Sequence, residues 1–536
     1  MLVPANDNER IVAARVREFF GRRTPWHRSL WNLGLILALR ELLEASEAVS
    51  QKILTPKALD VIRSTCRQLL ADEPDRVQDS RLAALRSRLS SSLEYDGFDY
   101  HALRTLTNQV ESDYLLRWAE RLRTGDGGNS GERVARSIAA HLLDRGFSAN
   151  FLHQWWQFKI SYEETPKSLP EIVEDAQTLA RKPCQAFSVL ICFSSRPRTG
   201  RSDHPAWLDP AEVSRWLRQN SSDCSGLRSA GGFCLAIEAL EPQSAVELAV
   251  ERVDHLVARV AVSTGKETQL EPRVWVRGVR EPFRLTRYGR GVRVGALYRE
   301  DQVFHDQAGF SVIDAAIDLL SHLERSSPSA AVAGGWAAIE SLLSEPTDRG
   351  VAADRLAALV ACSIPRAELT ALAHAFEKSG KGGGSLRRQL SSCVENRQRC
   401  EVLARAILSD KLSEHPMASE SAARARVAII LNSPKNELSK VRAQVESAFR
   451  RLYRQRNLVL HWGRTDAVAL RASLRTAAPL VGAGMDRIAH GWYVERLRPV
   501  ELASRADVAL ETVVDRDVAT CLSLLAAPHD VRSRPT

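Results

Sequence analysis

Along the first 172 residues, apolar positions return every three to four places, the spacing of one helix face. The pattern predicts helices at roughly 8–23, 27–47, 55–72, 78–94, 100–124, 132–145 and 149–160. Gly125 to Gly131, glycines mixed with Asp, Asn and Ser, predicts a flexible loop between two of them. The aromatic-rich run from Phe151 to Phe158 reads first as a buried helix, and second as a platform on which bases could stack.

The period then changes. Gln185 to Ser194 and Phe233 to Leu240 are dense in β-branched and aromatic residues and predict buried strands. Arg196 to Gly232, rich in Ser, Asp, Gly and Pro, reads mainly as loop. Ser244 to Val262 has helical spacing at Val246, Ala249, Val253, Leu256 and Val260. Arg273 to Val279 and Val292 to Leu297 complete a small module. It carries no Gly-x-Gly-x2-Gly and no P-loop; Gly380 to Ser385, further on, lacks Walker spacing and reads as a hinge or loop.

Helical spacing returns after that module. Helices are predicted at 309–325, 328–345, 351–363, 366–378, 386–409 and 418–431. A long one follows from Asn432-Ser433-Pro434, a cap and a permitted early proline, with an apolar stripe at Leu438, Val441, Val445, Ala448 and Leu452. Helices at 467–491 and 505–526 precede a polar tail. The expected fold class is mainly α. An N-terminal helical domain (1–172) leads into a small α/β (α+β) module (173–305), then a C-terminal helical bundle (306–536).

Composition is that of a soluble globular protein, 44% apolar and 26% charged. The formal charge is +9, carried by 63 Arg against 11 Lys, which favours a polyanionic partner. The first ten residues show no apolar stretch of the signal-peptide kind. The apolar-leaning segment Leu30 to Leu43 is broken by Asn32 and Arg40 and is too short to span a bilayer. The expectation is a cytoplasmic protein with no membrane partner. Nine cysteines stand singly; Cys393 and Cys400 would share a helix face, but no His or carboxylate cluster completes a zinc set. Free buried thiols, no metal and no cofactor are therefore expected.

The candidate chemistry lies in Tyr453 to Gly463. Arg456 and His461 form an Arg-x4-His pair, with Asn457 after the arginine. A guanidinium holds two phosphate oxygens at once, and an imidazole gives and takes protons near neutrality, which together suit a phosphodiester. In so arginine-rich a chain about one or two such pairs arise by chance, and there are three. Arg22–His27 contains Pro25, which argues against a continuous helix. Arg136–His141 sits in a plain amphipathic helix and reads as structure. Only the third is ordered geometrically. Tyr453, Asn457 and His461 fall on one helix row, Arg456 reaches the same cleft from about 100° away, and Gly463 is a natural stop.

This run resembles the catalytic motif of HEPN-domain ribonucleases, Arg-(x4–6)-His with a polar residue after the Arg. Its surrounding phrase, Phe449 to Gly463, is most similar to the HEPN branch found in prokaryotic anti-phage proteins. The resemblance covers about 310–500. It implies metal-independent endoribonuclease activity in anti-phage defence (abortive infection). The ribose 2′-OH would attack the scissile phosphate, with Arg456, Asn457 and His461 catalytic. Glu340, on an early bundle helix, would orient the pair, Tyr453 would support it, and Arg450, Arg451, Arg454 and Arg464 would guide RNA. It further implies a homodimer that joins two motifs, tRNA or another single-stranded or loop RNA as substrate, and a phage-derived trigger acting through the preceding 300 residues. The rival readings are a non-catalytic RNA-binding or oligomerisation protein built on the same bundle, and a nucleic-acid-binding regulator working through its N-terminal helices.

Overall fold

A computed structural model describes residues 2–4, 6–73, 79–124, 131–197, 204–220, 224–285, 289–304, 311–379, 384–409, 412 and 417–525. The loops expected at Gly125 to Gly131 and Gly380 to Ser385, and the polar tail, fall largely or wholly outside them.

The N-terminal third is helical: α1 (Asp7–Phe19), α2 (Leu35–Ser50), α3 (Pro56–Ala71), α4 (Ser80–Ser90), α5 (Phe98–Glu111), α6 (Tyr114–Thr124), α7 (Gly131–Asp144), α8 (Ala149–Ser161) and α9 (Leu169–Ala180). The sequence pattern had run α1 and α2 long and joined α5 to α6. Pro25 stands in the gap after α1, where Trp26–Arg28 makes only a 3-10 turn. The unexpected α9 starts with a capping box, Ser168 and Glu171 each satisfying the other's backbone N–H. In α8, Trp156 is fully buried and its indole donates to the Ala13 carbonyl at 2.9 Å. The aromatic run thus packs inward at Leu152 and Trp156, and among its aromatic residues leaves Phe158 half exposed.

The middle segment is an antiparallel sheet in the order β2-β3-β1-β4-β5, formed by β1 (Gln185–Phe193), β2 (Trp207–Leu208), β3 (Gly232–Ala239), β4 (Leu270–Val276) and β5 (Phe283–Arg284). Two helices cover its faces. The first, α10 (Pro210–Gln219), packs Val213, Trp216 and Leu217 on Leu190, Cys192 and Trp275. The second, α11 (Pro242–Thr264), packs Val246, Ala249, Val250 and Val253 on the other face. The presence of β2 and α10 corrects the expectation of loop over 196–232. Asp209 and Glu212 form a capping box, and burial of Trp216 stabilises a helix whose polar composition had hidden it. A second correction concerns Val292 to Leu297, which does not join the sheet. Val292 donates to Glu324 at 2.9 Å and Ala296 to Asp486 at 2.6 Å, so the segment lies on the C-terminal bundle, where α12 (Ala296–Arg299) forms one turn.

That bundle contains α13 (Val312–Arg325), α14 (Pro328–Leu343), α15 (Val351–Ser379), α16 (Gly384–Ser392), α17 (Asn396–Leu408), α18 (Ala418–Asn432), α19 (Pro434–Trp462), α20 (Leu470–Tyr493), α21 (Pro499–Thr512) and α22 (Val518–Leu522). The two helices expected at 351–363 and 366–378 are one, with Pro365 inside. Pro365 cannot donate to the Ala361 carbonyl, but Leu356, Leu359, Val360, Ile364, Leu369 and Leu372 are buried on both sides of it and hold the axis together. By length and composition α15 could cross a membrane; 72% of its most apolar window is buried inside the protein. The helix expected at 386–409 breaks at Cys393–Glu395, so Cys393 and Cys400 share no continuous face. The thiols of Cys66, Cys192, Cys362, Cys400 and Cys521 are buried and free as expected, whereas Cys184 and Cys224 are exposed.

The helices before and after the sheet share one hydrophobic core running from Val12 to Leu525. Charges cross it as well. Arg28 donates two hydrogen bonds to Glu420, both at 3.0 Å, and one to Glu368 at 2.9 Å. Arg426 donates to Glu368 at 2.8 Å and to Glu132 at 3.3 Å, and Arg15 completes the chain with bonds of 2.7 and 2.9 Å to Glu132. Buried arginines with matched carboxylates avoid the desolvation cost of an unpaired ion, and here they tie α1 and α7 to α15 and α18.

Candidate functional site

Helix α19 begins with Pro434 in its first turn and buries Leu438, Val445, Ala448, Phe449, Leu452, Leu458 and Val459 along one side. It stops at Gly463, whose φ of 70° is the left-handed conformation that ends a helix without Cβ strain. The Arg464 N–H then returns to the Leu458 carbonyl at 3.1 Å. The last two turns thus present Arg456, Asn457, Leu460 and His461 on the side away from the core.

There the expected pair meets. One terminal nitrogen of Arg456, Nη1, donates to Asn457 Oδ1 at 3.1 Å and stands 3.1 Å from His461 Nε2. Since a guanidinium only donates, Nε2 is the acceptor here and the imidazole proton is assigned to Nδ1. Arg456 Nε and Nη2 have no protein partner among the described residues, so donors remain for an anion. Tyr453, one turn back, packs on Trp336 of α14 with ring centroids 4.7 Å apart, and thereby fixes the spacing of the two helices.

Beside the pair lies a groove of about 420 Å3 between α13, α14 and α19, with Trp336, Glu340, His322, Arg456 and Leu460 in its walls. Small residues set the spacing of two of its walls: a Cβ on Gly334 would come within 2.7 Å of His322 Cβ and 2.8 Å of the Leu319 carbonyl. Only glycine lets α13 and α14 approach so closely. The sequence reading missed His322 and the groove. The available signal was the Gly334-Gly335 pair inside an apolar helix, a mark of close backbone approach.

Glu340 lines this groove, but its carboxylate pairs with Arg349 at 3.2 Å rather than with Arg456 or His461. The four arginines expected to guide RNA are engaged with carboxylates. Arg450 is held by Glu446 and by both oxygens of Asp354. Arg451 and Arg454 are buried against Glu41 of α2, at 3.4 and 3.1 Å, which corrects their assignment from substrate contacts to packing contacts. Arg464 lies over the Trp462 ring at 4.6 Å, with Asp466 at 3.3 Å and Glu44 at 3.9 Å. Arg451 and Arg454 were mistaken for surface because their partner lies far off in sequence: Glu41 is 413 positions from Arg454.

The two decoy pairs are structural. His141 is buried with its ring 4.7 Å from Tyr114, and burial pushes it down to about 3. His27 is buried beside the Glu368 network, and burial pushes it down to about 4, with Glu368 opposing. Both imidazoles stay neutral near pH 7. Among the described residues no group of three or more His, Cys, Asp or Glu is placed to hold a metal ion. Comparisons with family models, with curated proteins and with solved structures give no match.

Proposed function

We propose that the chain is a HEPN-type endoribonuclease that cleaves RNA by attack of the ribose 2′-OH, acting in the cytoplasm in anti-phage defence. The observation that carries this reading is the Arg456–His461 contact at 3.1 Å, at an exposed helix end beside an open groove. In the reaction, His461 Nε2 takes the 2′-OH proton, the O2′–P bond forms and the bond to the 5′-oxygen breaks. Arg456 stabilises charge on the phosphorane through its unpartnered Nε and Nη2, while Asn457 fixes the guanidinium. No step calls on a metal or cofactor. A two-fold dimer brings two motifs to one cleft, and the N-terminal helices serve as the sensor for a phage-derived trigger.

The test is incubation of purified protein with total RNA and with tRNA in EDTA, with end-group analysis. Products ending in 2′,3′-cyclic phosphate are expected, and 2′-O-methyl at the cleavage site should block the reaction. A 5′-phosphate product that needs added Mg2+ defeats the reading. A non-catalytic binding or oligomerisation role is favoured by one observation, the apolar lining that Trp336, Ala333 and Leu460 give the groove. RNA retention without cleavage, or dimerisation without RNA binding, would support it. Light scattering decides the dimer separately; a monomer whose rate is independent of protein concentration rules out a shared cleft.

A further inference from the structure

A phosphodiester cleaved by its own 2′-OH needs two proton transfers, one from the attacking oxygen and one to the departing 5′-oxygen. The Arg456–His461 contact supplies the first. With Nε2 accepting from Arg456, that nitrogen has no proton to give. A donor has to come from elsewhere in the cleft. Among the described residues, the walls of the groove beside the pair, which Arg456 lines, hold one imidazole, that of His322 on α13.

We infer that His322 is the general acid of the same active site, an inference that rests on the ribonuclease reading above. Three observations place it. His322 and Arg456 line one groove of about 420 Å3, within the roughly 300–1,000 Å3 of ligand sites. The ring is oriented: Nδ1 lies 3.0 Å from Ser326 Oγ, one turn on, while Nε2 has no partner among the described residues. Its seat is also fixed, because the bare Gly334 backbone fits directly under His322 Cβ and any larger residue there would push α13 away. Glu340 and Arg456 are the charged groups that share the groove with it. In the reaction His461 takes the proton of the 2′-OH, the O2′–P bond forms, the P–O5′ bond breaks, and protonated His322 gives its Nε2 proton to O5′. Electrons and protons balance without a further reactant, leaving a 2′,3′-cyclic phosphate, a 5′-hydroxyl, His461 protonated and His322 neutral. The proton donor then belongs to the same chain rather than to a second copy of His461.

The test uses the full chain and a chimeric oligonucleotide carrying a linkage mapped as cleaved in total RNA, with 2′-O-methyl at every other position. Two versions are made, one with the natural 5′-oxygen and one with sulfur in its place, whose thiolate leaves without a proton. His322→Ala is expected to cut the natural linkage about 100-fold or more slowly than wild type, yet to cleave the sulfur linkage within a few-fold of wild type. His461→Ala should be slow on both. If His322→Ala cleaves the natural linkage at nearly the wild-type rate, or is equally slow on both, His322 is not the acid. His322→Gln, which keeps a polar side chain of similar reach, should behave as His322→Ala does; full activity in it would also overturn the assignment. Failure of the underlying reading is distinct: wild type would leave total RNA intact, or His461→Ala would keep full activity.

Discussion

Cutting His461 back to Ala removes the proposed proton acceptor while disturbing little packing, because the imidazole is exposed at the helix end. RNA cleavage should fall by roughly 10²–10⁴-fold with the melting temperature unchanged, read by single-turnover rates and thermal denaturation on the same preparation. Arg456→Lys keeps the charge but loses the planar fork whose Nη1 serves both Asn457 and His461, so it should fall nearly as far as Arg456→Ala. An exposed histidine such as His374 is the right control, and His374→Ala should cleave normally. His141→Ala tests something else. Its buried ring against Tyr114 leaves a cavity when truncated, which costs a few kcal/mol, so it should lower the melting temperature without changing activity per folded molecule. At this scale the legible part was local. Tyr453, Arg456, Asn457 and His461 are placed by the pitch of one helix, so spacing alone brought them together. Glu340 was illegible for the same reason, since its choice of Arg349 depends on the path of the chain between α14 and α15.

Helix α19 is held on two sides, and the two sides differ in energy. Its outer contact, Arg450 with Glu446 and Asp354, is about a third exposed, so Arg450→Ala should cost no more than about 1 kcal/mol. Its inner contact is the buried pair of Arg451 and Arg454 on Glu41 of α2. Glu41→Gln removes the charge but keeps the shape, leaving two buried guanidiniums beside a neutral amide. A loss of about 3–5 kcal/mol is expected, measured by urea denaturation. Equal losses for Glu41→Gln and Arg450→Ala would show that the inner pair is not a stability element. Elements were legible where amphipathic spacing was long and unbroken, as in α11, α18, α19 and α20. They were lost where another force overrode local preference. Pro365 marked a helix end that burial of the flanking leucines cancelled, and polar α10 was hidden because its helix depends on Trp216 packing under the sheet. The break at Cys393–Glu395 went unseen because no proline or glycine marks it.

Across the whole molecule, buried titratable groups set how stability follows pH. His27 protonates near 6.5 in an unfolded chain and only near 4 in the fold, where burial and the neighbouring arginines disfavour its cation. Through that window the unfolded state binds more protons, so the contribution is lost as pH falls from about 6.5 toward 4. Glu44, Glu73 and Glu247, each pushed up to about 7 by burial, act with the opposite sign, favouring the fold as pH falls from 7 toward 4.5. A comparison of wild type with His27→Gln cancels those carboxyls. Wild type should lose roughly 1 kcal/mol per pH unit relative to the variant between pH 6.5 and 4, and a constant difference would contradict the buried neutral ring. His27 sits beside the same network that joins the two ends of the chain, and the network decides what a truncation can do. Removing residues 1–304 takes Arg28 from Glu368 and Glu420, and Glu41 from Arg451 and Arg454, while baring the half of the core that faces α1 and α2. The sequence divides at composition changes; packing sets apart only the sheet, which has cores of its own, and leaves the helices before and after it in one core. In the proposed sensor role the N-terminal helices would act by straining the bundle whose core they share. The expressed segment 305–536 should therefore be insoluble or molten, with strong binding of a hydrophobic dye and no cooperative melt, rather than a freed and more toxic nuclease. A soluble, cooperatively melting and toxic fragment would mean that the shared core is dispensable, and that the N-terminal helices restrain the bundle from outside.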